Sequence, residues 1–346
     1  MKSTVSTWST LILSGLFLCA APTLAEDQKR ILEPGHWYPT IETGATLTQS
    51  TFSDNWKGGD KGSVVWTAIL NAGLENQIRP SLHWNNTLKL AYGQTHQQKA
   101  DSEGRRFWQR PEKSTDLVDF ETIMRLTRGW VVDPFVSGRF ESQFQDASDP
   151  AGRNLSLNPK KFSESAGLAR QFFDTEERSL LSRLGFTLRQ TSRKLFVNDA
   201  PDKSTVSKST NDGGIESVTE YKAKILTKRV TWSSKLILYK PLYYSGKDNI
   251  DGISADDLTA LDVDPNVADY TLAIDADWEN IFTTQITKLL SVNLYLRWLY
   301  DKYDNSVPPQ VNDSGELTNP GDVQAAIRKA GQFKQTLSLG ITYRLL

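Results

Sequence analysis

Hydrophobic and polar residues alternate along most of this chain with a period of two. The last stretch shows it best. Phe333, Leu337, Leu339, Ile341, Tyr343 and Leu345 share one parity, and Lys334, Thr336, Ser338, Gly340, Thr342 and Arg344 share the other. Such a period places successive side chains on opposite faces of a β-strand. The pattern recurs twelve times and predicts strands over 38–52, 63–78, 81–97, 115–128, 134–146, 161–174, 178–192, 214–228, 230–243, 267–279, 284–302 and 332–345. In the eleventh, Leu290, Val292, Leu294, Leu296, Trp298 and Tyr300 oppose Ser291, Asn293, Tyr295, Arg297 and Asp301. The sixth is weakest, because Glu164 and Arg170 share a face with Phe162, Leu168 and Phe172. No sustained helical face emerges, and beyond residue 25 no stretch reaches the ~18 apolar residues that mark a membrane helix.

The connections between these strands alternate as well. Those after even strands are short: QIRP, RGWVVD, TEE, KRV and ENIF. Those after odd strands are longer, as at 98–114, 193–213, 244–266 and 303–331. Antiparallel neighbours put all the short turns at one end and all the long loops at the other. This is the arrangement of a transmembrane barrel with short periplasmic turns and long external loops. Aromatics fall into two groups that match two membrane interfaces. Trp84, Trp130, Trp232 and Trp278 lie near the short turns; Trp66, Tyr92, Phe144, Tyr243, Tyr270, Trp298 and Tyr300 lie towards the long loops. The expected fold is therefore all-β, a closed antiparallel barrel of about twelve strands, with membrane lipid against its apolar face. Closure requires the last strand to pair with the first, because an unpaired edge in hydrocarbon costs several kcal/mol per backbone group. A soluble sandwich explains the alternation but not the loop asymmetry.

The beginning of the chain agrees with export. An early Lys2 precedes an apolar run from Leu11 to Ala21 that ends on Thr23-Leu24-Ala25. This reads as a secretory signal over 1–25, followed by a periplasmic lead-in over 26–37 and the barrel over 38–346. The single cysteine, Cys19, lies in the signal, so the mature chain is expected to lack disulfides and thiolate metal sites. The formal net charge of -1 over 346 residues argues against a nucleic-acid partner. A mean hydropathy of -0.45 does not exclude a barrel, since barrel strands carry only a weak alternating signal.

Three segments form a further pattern: NWKGGDKGSVVWTAILNAGLEN (55–76), HWNNTLKLAYGQTHQ (83–97) and KSTDLVDFETIMRL (113–126). A Trp-x-Gly-Gly turn at Trp56, Gly58 and Gly59 precedes a strand holding Asn, and a Trp-Asn strand beginning at Trp84 ends in Tyr92-Gly93. The region 55–145 resembles a bacterial family of unknown function whose members are expected to be outer-membrane barrels. The chain departs from such barrels at its end, where Leu346 replaces a terminal aromatic. The resemblance implies fold and location, and no chemistry.

The residues themselves offer little catalysis. Gly58-Gly59 suits a tight hairpin, and a strand rather than a helix follows it, which disfavours a phosphate loop. Histidines are limited to His36, His83 and His96, and no Gly-x-Ser-x-Gly elbow occurs. No catalytic residue, metal ligand or cofactor is expected, and the protein is not expected to be an enzyme. Asp262-Val-Asp264-Pro-Asn266 has a calcium-like spacing without the later Gly and acid, and reads as solvated loop acids. Single helical turns are expected at the capping-box segment Ser254–Asp257 and over Asp322–Ala330. Arg105, Arg106, Phe107, Trp108 and Arg110 cluster in an external loop that suits lipopolysaccharide phosphates.

The strongest signal is in the lumen. By parity, Lys89, Arg125, Arg139, Arg183, Arg189, Lys222, Lys224, Lys235, Arg297 and Arg344 point inward, with Glu42, Asp119, Glu121, Glu141, Glu220, Asp275, Asp277 and Glu279. Charges this dense need water or partners. They favour a narrow channel for small hydrophilic solutes, with a slight basic excess that favours anions. Arg125, Arg139, Arg183, Arg189, Lys222, Lys224 and Arg297 would be the solute contacts. The alternative is a structural or adhesive barrel with a closed lumen, whose long loops bind a glycan or a protein.

Overall fold

The computed structural model describes residues 32–50, 62–103, 105–149, 151–198, 201–287 and 289–344. The expected secretory signal and the Trp56–Gly59 turn lie outside them, as does half of the expected lead-in over 26–37. Twelve long strands follow in chain order: β1 Trp37–Ser50, β2 Ser63–Arg79, β3 Leu82–Ala100, β4 Glu112–Leu126, β5 Asp133–Ser142, β6 Lys160–Asp174, β7 Arg178–Phe196, β8 Thr205–Ile225, β9 Val230–Tyr244, β10 Asp275–Gln285, β11 Leu290–Tyr300 and β12 Gln332–Arg344. Each pairs antiparallel with its sequence neighbours. β12 also pairs with β1, with Ala45 opposite Ile341 and Thr46 opposite Gly340. The sheet is a closed twelve-stranded transmembrane barrel, and closure leaves no strand edge in hydrocarbon.

The outer face is apolar and uncovered. Leu184 is 58 % and Leu337 70 % exposed, alongside Phe186, Leu188, Leu339 and Ile341. Apolar surface of this extent on a closed barrel is solvated by lipid. The sixth strand's charges also face outward. The Arg170 guanidinium sits 5.0 Å from the Phe172 ring centroid, towards the short-turn end, as a long cation does when it reaches back to an interface. Aromatic pairs mark the two ends. Trp37 and Trp84 meet edge-on at 5.1 Å, and Trp232 stacks on Phe282 at 5.8 Å near the short turns, where Trp130 is exposed. Trp66 packs near Tyr92 at 5.9 Å, Tyr92 near Phe144 at 6.2 Å, and Trp298 stacks on Tyr300 at 6.2 Å towards the long loops.

Two expectations need correction at the tenth strand. The segment 267–270 is helical, and the strand runs over Asp275–Gln285 instead of 267–279. The short turn accordingly falls after Gln285, not at ENIF. Trp278 lies opposite Trp298, in the external half of the wall, so it does not belong with the short-turn aromatics. Tyr270 leaves the wall altogether. Its hydroxyl donates to Asp264 Oδ2 at 3.1 Å. The cause is local: Val267 is fully buried in an apolar cluster outside the barrel, so its spacing from Tyr270 reports a helical turn and not a strand.

That cluster is a cap at the long-loop end. It joins the β9–β10 and β11–β12 connections through Tyr244, Ile250, Leu258, Val267, Tyr303 and Val323, among others. Four short helices build it: α1 Asp248–Asp251, α2 Ala255–Ala260, α3 Val267–Tyr270 and α4 Pro320–Ala326. As the capping box suggests, Ser254 Oγ accepts from Asp257 N–H at 3.1 Å and starts α2.

One place in the wall depends on glycine. Gly167 and Gly185 face each other across β6 and β7. A Cβ on Gly167 would meet Leu184 O at 2.2 Å and Gly185 Cα at 2.4 Å. Only bare backbone allows this approach. Gly138 on the outer face differs, with its nearest neighbour, Thr122 Cγ2, at 3.6 Å. We predict that Gly167→Val destabilises the barrel by about 1–3 kcal/mol through overpacking, while Gly138→Ala is tolerated. Urea unfolding in detergent, followed by gel mobility, checks both.

Candidate functional site: the charged lumen

Parity on twelve strands directs a band of charged side chains inward, and the structure resolves how they meet. The central group joins four walls. Arg183 Nη2, from β7, donates to Glu121 Oε1 on β4 at 3.0 Å and to Glu220 Oε1 on β8 at 3.4 Å. Lys235 Nζ, from β9, lies 3.2 Å from Glu121 Oε2 and 3.5 Å from Glu220 Oε1. β4 and β9 are five strands apart around the ring, so the Lys235–Glu121 pair crosses the bore. Beside it, Arg139 makes a two-point contact with Asp119 at 2.9 and 3.0 Å and reaches Glu141 at 3.1 Å. Arg183 is only 4 % exposed. Its guanidinium also lies 5.7 Å from the Phe135 ring.

Other ties surround the central group. Arg189 contacts Asp275 at 3.2 Å and Glu216 at 3.8 Å, and its guanidinium lies 3.3 Å from the Tyr239 ring centroid. Tyr239 Oη donates to Asp212 Oδ1 at 2.5 Å. Arg297 grips Asp277 at 2.8 and 2.6 Å. Lys89 lies 3.9 Å from Glu279, a pair that again joins strands five apart. Arg125 lies 3.7 Å from Asp133 near the short-turn end.

The seven cations singled out by sequence therefore divide. Arg125, Arg139, Arg183, Arg189 and Arg297 are held by carboxylates. Lys222 and Lys224 have no ion pair among the described residues. Asp133, Asp212 and Glu216 join the inward acids, and Lys161 and Lys334 join the inward bases. In the central group, Asp119, Glu121, Glu141 and Glu220 outnumber Arg139, Arg183 and Lys235. Parity gives the face of a side chain but not its partner across the ring.

Outside the membrane, the cap carries its own charge arrangement. Asp301 follows β11. Burial, and then the neighbouring Asp275 and Asp304, push its carboxyl up to about 7. Its Oδ1 is buried without a hydrogen-bond partner. For Asp304, burial acts upward, but Lys161, Ser306 and Arg328 outweigh it and hold the carboxyl below its usual value. Elsewhere, Asp264 caps the backbone of Asn266 at 2.9 Å, and no cluster suited to a metal ion occurs among the described residues. In the external hairpin at Arg106–Trp108, Arg105 is tied to Asp101 at 2.8 Å and Glu103 at 3.1 Å, while Phe107 and Trp108 remain exposed.

Residues 47–147 match the model of a family described as a protein of unknown function, DUF3078, in agreement with the stretch 55–145 picked out by its motifs. No curated protein matches the chain. Among solved structures, the chain is similar to an outer-membrane channel from Pseudomonas putida F1, at 11 % identity and a TM-score of 0.37, covering 91 % of this chain and 96 % of that one. It is also similar to the translocator domain of the autotransporter NalP from Neisseria meningitidis, at 8 % identity and 0.32, covering 89 % and 86 %. A third is the β domain of the Bordetella autotransporter BrkA, at 10 % identity and 0.29, covering 89 % and 98 %.

An acid whose folded pKa is raised binds its proton more tightly when folded, so its contribution to stability falls as pH rises from about 3.8 through about 7. Asp301→Asn should therefore stabilise the cap, more at pH 8 than at pH 4. Hydrogen exchange of Tyr303 and Val323 amides at the two pH values checks this.

Proposed function

We propose that the protein is an outer-membrane channel for small hydrophilic solutes, narrowed at mid-height by the ion pairs that cross its bore. The carrying observation is the Lys235–Glu121 contact at 3.2 Å between strands five apart. A barrel needing only a sealed core gains nothing from such charges, since replacing a buried ion pair with apolar side chains is often neutral or stabilising. Charged rings are what a selective aqueous path uses. Among the inward cations, Lys222 and Lys224 stand towards the short-turn mouth with no ion-pair partner among the described residues, and serve as solute contacts there. Arg125, Arg139, Arg183, Arg189 and Arg297 contact solute only by exchanging a carboxylate for it. The excess of carboxylates in the central group gives the channel a weak cation preference. Membrane lipid surrounds the wall, and Phe107 and Trp108 reach the lipopolysaccharide layer.

A second reading is a closed structural or adhesive barrel whose external loops bind a glycan or a protein. The cap favours it, because its own apolar core shapes a rigid external surface.

Single-channel recording separates the two. We expect a small, steady conductance from the native protein. Glu121→Gln combined with Lys235→Met removes the crossing pair without leaving an orphan charge, and should raise conductance several-fold. Silence from both, with the barrel inserted, would support the closed reading.

A further inference from the structure

Among the described residues, the seam that closes the ring is the shortest in the wall. β12 pairs with β1 only over Glu42–Thr46 and Gly340–Arg344, whereas it pairs with β11 from Gln332 to Ile341. The same register, carried outward, would set Leu47 against Leu339 and Ser50 against Thr336, yet the ladder ends at Thr46 and Gly340. Beyond that point the two strands leave a lateral slot about four residues long, or ~13 Å along the strand. Leu47 stands opposite Trp66, and Phe333 opposite Trp298, so the slot lies at the external aromatic belt. Backbone groups there reach water and headgroups, which hydrocarbon would deny them. Both faces of the wall are open along the slot. Outward-facing Leu47, Leu337 and Leu339 are 67 %, 70 % and 57 % exposed. Inward-facing Thr48, Lys334 and Thr336 are exposed as well. On β7, by contrast, inward-facing Thr187 is fully covered.

The two sides of the slot differ in chemistry. Its outer lips are the apolar side chains of Leu47, Leu337 and Leu339. Its inner side carries a cation without a carboxylate. The Lys334 ammonium lies 5.9 Å from the Tyr295 ring centroid and has no ion pair among the described residues. The acids beside it are engaged elsewhere. Asp277 grips Arg297, which stands opposite Lys334 in register. Glu279 accepts from the Tyr295 hydroxyl at 3.0 Å and lies 3.9 Å from Lys89. Thr48 and Thr336 add hydroxyl donors on the same face. A carboxylate on an alkyl chain matches both sides at once. The ammonium and the hydroxyls suit its oxygens, and the leucines suit its methylenes. The slot closes below at Thr46 and Gly340, which suits one narrow chain rather than a lipid with several. We infer that single-chain anionic amphiphiles of the fatty-acid type pass between the lumen and the outer leaflet through this slot, headgroup towards Lys334 and chain between the leucines. The route goes beyond the axial channel and does not depend on it.

Photolabelling of the full barrel in phosphatidylcholine vesicles tests it. The probes are dodecanoate with a diazirine beside its headgroup and the matching dodecyltrimethylammonium, and mass spectrometry locates the adducts. Lipid-facing Leu184 reports contact with the bilayer alone, and Thr187 reports the lumen away from the slot. Dodecanoate should mark Thr48 and Thr336 well above Thr187. Lys334→Glu should cut that labelling by about tenfold, the loss of one charge-assisted contact, and Lys334→Gln should cut it less. Labelling of Leu184 and folded-state gel mobility should stay unchanged in both variants. The ammonium probe should mark Thr48 and Thr336 less than dodecanoate does. Labelling of these threonines no greater than that of Thr187, labelling indifferent to Lys334→Glu, or equal labelling by the two probes would overturn the inference. A marked slot in an electrically silent barrel would uphold the lateral route and sink the axial channel; conductance with an unmarked slot would do the reverse.

Discussion

A backbone amide in hydrocarbon has no water to turn to, and the closed wall of this barrel follows from that constraint. Each strand must be paired on both sides, so β12 must return to β1, as it does from Ala45–Ile341 outward. Closure then fixes an inside and an outside. The outside selects apolar side chains such as Leu184, Phe186 and Leu337, with aromatics at the two interfaces. The inside receives whatever occupies the other parity, and in this chain that is charge.

A ring of twelve strands is wide enough to hold such charges yet narrow enough for them to meet. Glu121 and Lys235 do so from nearly opposite walls, and Arg183, at 4 % exposure, sits between two carboxylates. Leaving one of these groups alone would strand a charge, which makes the network cooperative: its members hold one another in place. The close approach of Gly167 and Gly185 brings β6 and β7 together just beside Arg183. Above the network, the cap has a conventional apolar core, because outside the membrane burial from water again drives folding.

Much of this was legible in the sequence. Period-two alternation located the strands, since one face must suit lipid along the whole span. It failed where that demand ends. Strands β7 and β8 continue to Phe196 and start again at Thr205, beyond 178–192 and 214–228, because above the membrane a hairpin needs no apolar face. At 267–270 a helical turn mimicked a strand. Parity also gave the faces of Arg139, Arg183 and Lys235. It could not give Glu121 as the partner of Lys235, 114 residues away, because that contact depends on the curvature of the closed ring. The lateral slot was illegible for the same reason: Leu47 and Leu337 line one opening only because β12 returns to β1.

Closure is therefore the claim to test most directly. Cysteines placed at Ala45 and Ile341, in a chain with Cys19→Ser, stand opposite each other across the final seam. Mild oxidation of the folded protein in detergent should join them within one molecule and in high yield. Cross-links only between molecules, or none in a folded and inserted barrel, would contradict the account.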